Sequence, residues 1–173
     1  QWFGRREPSR LWGLGGSGRW QRIGNELLGA DDIRSMDPDA FEALCALLWS
    51  KRGYPRTIKT PRSGDGGVDV VAIRGTEGVV IQCKSSSVAG RELGWEAVKD
   101  VAAGVGAYAQ RHPGVVFSMV AATNQRFNRT ARQQAEILRV ELVDGDDLER
   151  LLAKHPVKRG EVERFLLANW MAA

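Results

Sequence analysis

Apolar positions along this chain fall in two patterns, short nearly continuous runs and a recurrence every three to four residues. The clearest strand signal runs through residues 68–73 and 79–84, two nearly uninterrupted apolar, β-branched stretches with a turn at Gly75, Thr76, Glu77 and Gly78 between them. That composition, bounded by glycines, predicts a β-hairpin. Side chains two apart share a face of a strand. Gln82 and Lys84 are therefore expected on one face, Ile81 and Cys83 on the other, and Asp69 with Val71 and Ile73. Shorter strands are predicted over residues 56–60 and 140–143. A further strand over residues 115–123 is apolar on both faces and is expected to be covered by helices on each side.

The helical rhythm begins at Asp37, a good N-cap, followed by Pro38 at the first helical position. Phe41, Leu44, Cys45 and Leu48 form its stripe, and Gly53 stops it. Residues 95–110 repeat the pattern with Val98, Val101, Ala102, Val105, Tyr108 and Ala109 inward, ending at His112-Pro113-Gly114. Residues 130–138 turn Ala131, Ala135 and Leu138 inward. After an Asp144-Gly145 turn, Asp146 is expected to cap a helix carrying Leu148, Leu151 and Leu152. Residues 161–171 form a last amphipathic helix through Val162, Phe165, Leu166 and Trp170, placed either on the core or at a dimer interface. A short helix around Leu27 and Leu28 precedes all of these. The order is helix, three strands, helix, strand, helix, strand, helix, which predicts an α/β domain.

Composition adds boundaries. The 173 residues suffice for one domain with a core plus a tail, and 43% hydrophobic with 27% charged content is ordinary for a globular chain. No apolar run approaches the ~20 residues of a membrane helix. Cys45 and Cys83 fall in a predicted helix and strand and are expected to pack as small hydrophobes, which suits a reducing cytoplasm. His112 and His155 each precede a proline and read as loop residues.

The net charge of +4 is confined to the start of the chain. Residues 1–24 hold five arginines and one acid, and the remainder holds 20 basic and 20 acidic groups. Trp2, Phe3, Trp12 and Trp20 lie among those arginines without a helical or strand period. Residues 1–35 are therefore read as a basic, Trp-rich tail or linker, with a DNA-binding arm and a membrane-surface segment as functional alternatives. The chain begins with Gln, which leaves room for a membrane tether or an extra domain upstream. In the tethered alternative the domain works at the cytoplasmic face of a membrane.

Asp69, Gln82 and Lys84 are polar groups in nearly apolar strands, and burying them is costly unless they meet each other or an ion. A plain Asp–Lys pair at a sheet edge accounts for two of them. Their clustering beside a glycine-rich loop favours a site. Asp69 supplies a hard oxygen for Mg²⁺, with Mn²⁺ as a substitute, and the Gln82 amide oxygen and Cys83 carbonyl lie beside it. Lys84 is placed to orient a water or offset charge on phosphorus. Ser63, Gly64, Gly66, Gly67 and Ser85 line the same region as candidate phosphate contacts, and Asn124 and Arg126 follow a strand's carboxyl end, where α/β sheets usually bind ligands. A tight turn accounts equally for the glycines.

Asp69 followed by Gln82-Cys83-Lys84 resembles the PD-(D/E)xK nuclease core. The segments S-G-D-G-G-V-D-V-V and I-Q-C-K, with D-P-D-A-F-E-A-L before them and A-A-T-N-Q-R-F and L-V-D-G-D-D-L-E-R-L-L after, resemble the catalytic domain of Mrr-type restriction endonucleases. The likeness spans residues 36–153. It implies a restriction-endonuclease-like mixed β-sheet flanked by helices over residues 36–155, with 156–173 as the terminal helix. It also implies a Mg²⁺-dependent endonuclease acting on double-stranded DNA in defence against foreign or modified DNA. Glu42 becomes a second acid near the metal, where the residue alone reads equally as a solvated helix glutamate. The superfamily core carries an acid where this chain has Gln82, which removes one charge from the metal site. Cutting both strands requires two active sites, hence an expected homodimer, or tandem binding. A junction-resolving or repair nuclease on the same core, and a binding module that no longer cuts, are the rival readings.

Overall fold

The computed structural model describes residues 24–61 and 66–172. The tail over residues 1–23, with Ser63 and Gly64, lies outside the described residues.

Asp37 caps the first long helix by accepting from the Ala40 N–H at 2.9 Å. This helix, α2 (Pro38–Lys51), follows a short α1 (Ala30–Arg34). The three strands β1 (Arg56–Lys59), β2 (Val70–Arg74) and β3 (Glu77–Lys84) then form an antiparallel meander. Gly75 and Thr76 alone make the β2–β3 turn, because Arg74 already pairs with Glu77. Gly75 has φ +58°, a conformation that glycine adopts without a Cβ penalty.

Helix α3 (Glu96–Arg111) carries the chain across to β5 (Val116–Thr123), and α4 (Arg129–Leu138) leads to β7 (Val140–Val143). Both β5 and β7 run parallel to β3, as strands joined through helices can. The sheet order is β1-β2-β3-β5-β7, a mixed sheet flanked by helices as expected. Helices α5 (Gly145–Lys154) and α6 (Arg159–Ala172) complete the chain. Among the described residues no helix is long and apolar enough to cross a membrane.

The sheet alternation divides the core in two. Val70, Ala72, Val79, Ile81, Cys83, Val120 and Ala122 face α2. Val71, Ile73, Val80, Ala121 and Val140 face α3 and α4. Helix α2 is buried well beyond the predicted stripe, with Ala43, Ala46 and Trp49 also enclosed. Its outer side is covered by α6, whose Val162, Phe165 and Leu166 join the same cluster. A fully buried side chain of this size contributes about 1.5–3 kcal/mol relative to leaving it in water.

Four expectations change. Residues 24–35 are part of the fold rather than tail, since Leu28 and Ile33 are core residues. The Leu28 N–H bonds the Val157 carbonyl at 2.9 Å, and Arg159 pairs with Asp32 at 2.6 Å. The cap of α5 is Asp144, which accepts from the Asp146 and Asp147 N–H groups, so Asp146 is a first-turn acid instead. The first half of β5 is covered on one face alone, through Phe117 and Met119, with Val116 78% exposed, and only its second half is covered from both sides. A second small sheet joins β4 (Glu92–Leu93) to β6 (Arg126–Phe127), two strands beyond the five predicted. Strands of two residues are too short to show a period.

Candidate active site

The hairpin ladder is regular up to Val70, which pairs with Ile81, and then breaks. The Asp69 N–H also bonds the Ile81 carbonyl, at 2.8 Å. Two residues of β2's entry thus oppose one residue of β3, which is a β-bulge. Its effect shows in the core, where Val68 and Val71, three apart, both lie on the α3 face. The count by twos fails between them. Asp69 therefore does not share the face of Val71 and Ile73, contrary to the alternation.

The Asp69 carboxylate fills the break. Its Oδ2 accepts from the Cys83 N–H at 2.8 Å, so the acid abuts the peptide joining Gln82 to Cys83. The N–H and C=O of a strand residue point to the same edge. The Cys83 carbonyl is therefore directed toward the edge that Asp69 occupies. Strand β1 holds the other side: the Thr60 N–H bonds the Asp69 carbonyl at 2.8 Å, and Thr60 Oγ1 donates to the Val68 carbonyl at 2.5 Å.

On the α2 face, Glu42 lies within electrostatic range of Asp69. Its Oε2 pairs with Lys59 Nζ at 2.7 Å, and Asp39 approaches the same ammonium at 3.6 Å. Burial raises the Glu42 carboxyl above its usual range, the Lys59 hydrogen bond opposes that, and Asp69 adds to it. The Cys83 thiol, on this same face, is pushed well up, first by its hydrogen bond with Cys45, then by burial, then by Asp69 and Glu42. Both cysteines are buried and unbridged, as expected.

Gln82 and Lys84 alternate with Ile81 and Cys83 as predicted, and so belong to the α3 side. Gln82 is buried, and its Oε1 has no hydrogen-bond partner. A buried amide oxygen left unpaired is costly, and a cation or a donor from a ligand would satisfy it. Lys84 is exposed at the strand end, and among the described residues it forms no ion pair. The structure thus brings together Asp69, Glu42 and the backbone of Cys83. It places Gln82 and Lys84 on the opposite face of the strand.

The candidate DNA contacts separate. Gly66 and Gly67 take positive φ of 61° and 84°, and a Cβ on Gly67 would stand 2.7 Å from the Asp100 carbonyl of α3. The close approach that needs a glycine there is to a helix of this chain. Ser85 is half-buried beyond Lys84. Asn124 is buried rather than facing a groove. Its Oδ1 accepts from the Ser86 N–H at 2.9 Å, and its Nδ2 donates to the carbonyls of Ser86 and Ile33, both at 3.0 Å. Gln125 Nε2 donates to the same Ser86 carbonyl at 2.8 Å. Together they clamp the chain two residues past Lys84. Arg126 is exposed and paired with Asp146 at 3.3 Å.

The sequence reading gave no role to Lys59. In β1 the apolar Ile58 is 58% exposed, while Lys59, opposite Val70, turns inward. The available signal was the Asp39/Glu42 pair, three apart on one helical turn and in need of a cation.

Among the described residues no group of three or more His, Cys, Asp or Glu is arranged to hold a metal ion. The donor set is mixed: a carboxylate, a carbonyl and an orphaned amide oxygen. All are hard oxygens of the kind that Mg²⁺ takes, so the residues present fit such an ion.

A family model described as a restriction endonuclease, the Mrr catalytic domain, matches residues 33–152. Among curated proteins none matches the chain. A crystallised protein of unknown function, AF1548, is similar in fold at a TM-score of 0.57, with 20% identity over 68% of this chain and 66% of that one. The MspJI restriction endonuclease, solved with a 27-mer oligonucleotide, aligns at 0.48 with 23% identity over 75% of this chain and 31% of its own. The DNA modification-dependent restriction endonuclease AspBHI aligns at 0.49 with 18% identity, over 100% of this chain and 44% of its own. The chain thus spans less than half of either restriction enzyme.

Proposed function

From the premise that this chain belongs to the Mrr-type restriction endonuclease family, with its PD-(D/E)xK core, we propose that it is a metal-dependent DNA endonuclease. The observation that carries the reading is the Asp69 carboxylate lodged against the Gln82–Cys83 peptide, where the β2–β3 ladder opens. Asp69 and the Cys83 carbonyl would hold Mg²⁺, with the Gln82 amide oxygen approaching from the α3 side and Glu42 from the α2 side. When bound, the ion supplies polarisation of a phosphoryl oxygen and a lower pKa for water. Lys84, exposed at the strand end on the α3 side, would orient a water or offset charge gathering on the phosphate. Ser85 and Arg126 remain the phosphate-contact candidates on the described surface. Double-stranded DNA is the proposed substrate, foreign or modified DNA the proposed target, and the cytoplasm the proposed compartment. A homodimer supplies the second site for double-strand cutting.

A specific observation favours a second reading, a module that binds DNA without cutting it. Lys84 forms no ion pair with the acids, and Glu42 is engaged by Lys59. Cleavage of methylated and unmethylated plasmid in Mg²⁺, Mn²⁺ or EDTA separates the two. The nuclease reading expects metal-dependent nicking that falls about a hundredfold or more in Asp69→Asn, as loss of a central metal ligand does. DNA retention by the wild type with no cutting under any metal would establish the second reading.

A further inference from the structure

The acids of the α2 face come with their own cation. Lys59 leaves β1 with its side chain only 11% exposed, 2.7 Å from Glu42 and 3.6 Å from Asp39. The strand ladder fixes it there, since Lys59 pairs with Val70 and the next residue, Thr60, bonds the Asp69 backbone. A buried ammonium is costly to leave without an anion, so this geometry is held firmly. Three carboxylates, Asp39, Glu42 and Asp69, against one ammonium leave two negative charges when all are ionised.

We propose that Lys59 is a positioning residue: it holds Glu42 in the metal-free protein and sets how tightly a divalent cation is bound beside Asp69. This rests on the nuclease reading above. Lys59 and the divalent cation draw on the same carboxylate. A positive charge near the site repels the ion, and its partner, Glu42, is unavailable while the pair is intact. Replacing Lys59 by a neutral side chain removes both effects. Coulomb interaction with a divalent ion at such a range, even at a water-like dielectric, corresponds to a change on the order of tenfold in affinity.

The test is Mn²⁺ binding to the full chain by titration calorimetry, without DNA and without reference to cleavage. Lys59→Met is expected to bind Mn²⁺ about tenfold more tightly than wild type. Lys59→Arg keeps the charge and is expected to bind as wild type does. In a Glu42→Gln background the gain from Lys59→Met should shrink, because the carboxylate it frees is gone. Where Lys59→Met fails to fold by circular dichroism, Lys59→Gln carries the same expectation. Equal or weaker binding in the neutral variants overturns the role, as does an undiminished gain in the Glu42→Gln background. Failure of both neutral variants to fold beside a folded Lys59→Arg makes Lys59 a structural residue and overturns it too. Saturable binding in wild type that Asp69→Asn abolishes shows that the site itself stands, whatever Lys59 does. Absence of that binding defeats the nuclease reading and this proposal with it.

Discussion

The two edges of β3 are made from one strand and serve different ends. Along the β5 edge the parallel ladder runs unbroken from Glu77 to Lys84. Along the β2 edge it covers only Glu77 to Ile81, then meets the bulge at Asp69. On the continuous edge each β3 residue has a partner in β5, and small residues such as Ala121 and Ala122 are fully buried under the helices. On the broken edge a carboxylate replaces a strand as the partner of the Cys83 N–H. The ladder is complete on one edge, and on the other it stops at the proposed ion site.

Substitutions can test that division. The largest expected effect on stability is at Ile81, fully buried among the residues that face α2. Ile81→Ala should cost about 2–5 kcal/mol, read as a lower denaturant midpoint at unchanged slope. Asn124→Ala should cost less, about 1–3 kcal/mol, because the half-buried Ser86 N–H loses its acceptor and the Ile33 carbonyl loses a buried donor. Faster hydrogen exchange at the Ser86 amide would check this directly. An unchanged exchange rate would mean that the clamp past Lys84 contributes nothing.

The helices are legible from their apolar periods, and the hairpin and the outline of the sheet from their apolar runs bounded by turn residues. Asp37 and Pro38 marked the start of α2, and residues 140–143 were bounded as β7 is found. What could not be read was local and depended on tertiary context. A bulge has no signature in a run such as Val68-Asp69-Val70-Val71, yet it decides which face Asp69 takes. Lys59 points inward and Ile58 outward, the reverse of what hydropathy alone suggests, because acids on α2 wait for a cation. Asn124 looked like a polar group at a strand's open end, but the Ser86 loop folds over it. The motif residues were legible as a set, whereas their distribution over two faces and a gap was not.

The smallest effect concerns pH. Burial raises the Glu42 carboxyl above its ordinary value of 4.5. Between that value and the raised one, the folded chain holds a proton that the unfolded chain has released. Glu42's contribution to stability is therefore present below 4.5 and is lost as pH rises through the raised value. In EDTA, wild type should lose melting temperature relative to Glu42→Gln as pH rises from below 4.5 through the raised value. A constant difference would mean that Lys59 fully offsets the burial.

The central claim is that the break between β2 and β3 at Asp69 is where a divalent ion sits. Anomalous diffraction from Mn²⁺-soaked crystals tests it most directly. The expected result is one strong peak about 2.1 Å from an Asp69 carboxylate oxygen and from the Cys83 carbonyl, absent in Asp69→Asn. A peak elsewhere on the molecule, or none at saturating Mn²⁺, contradicts the account.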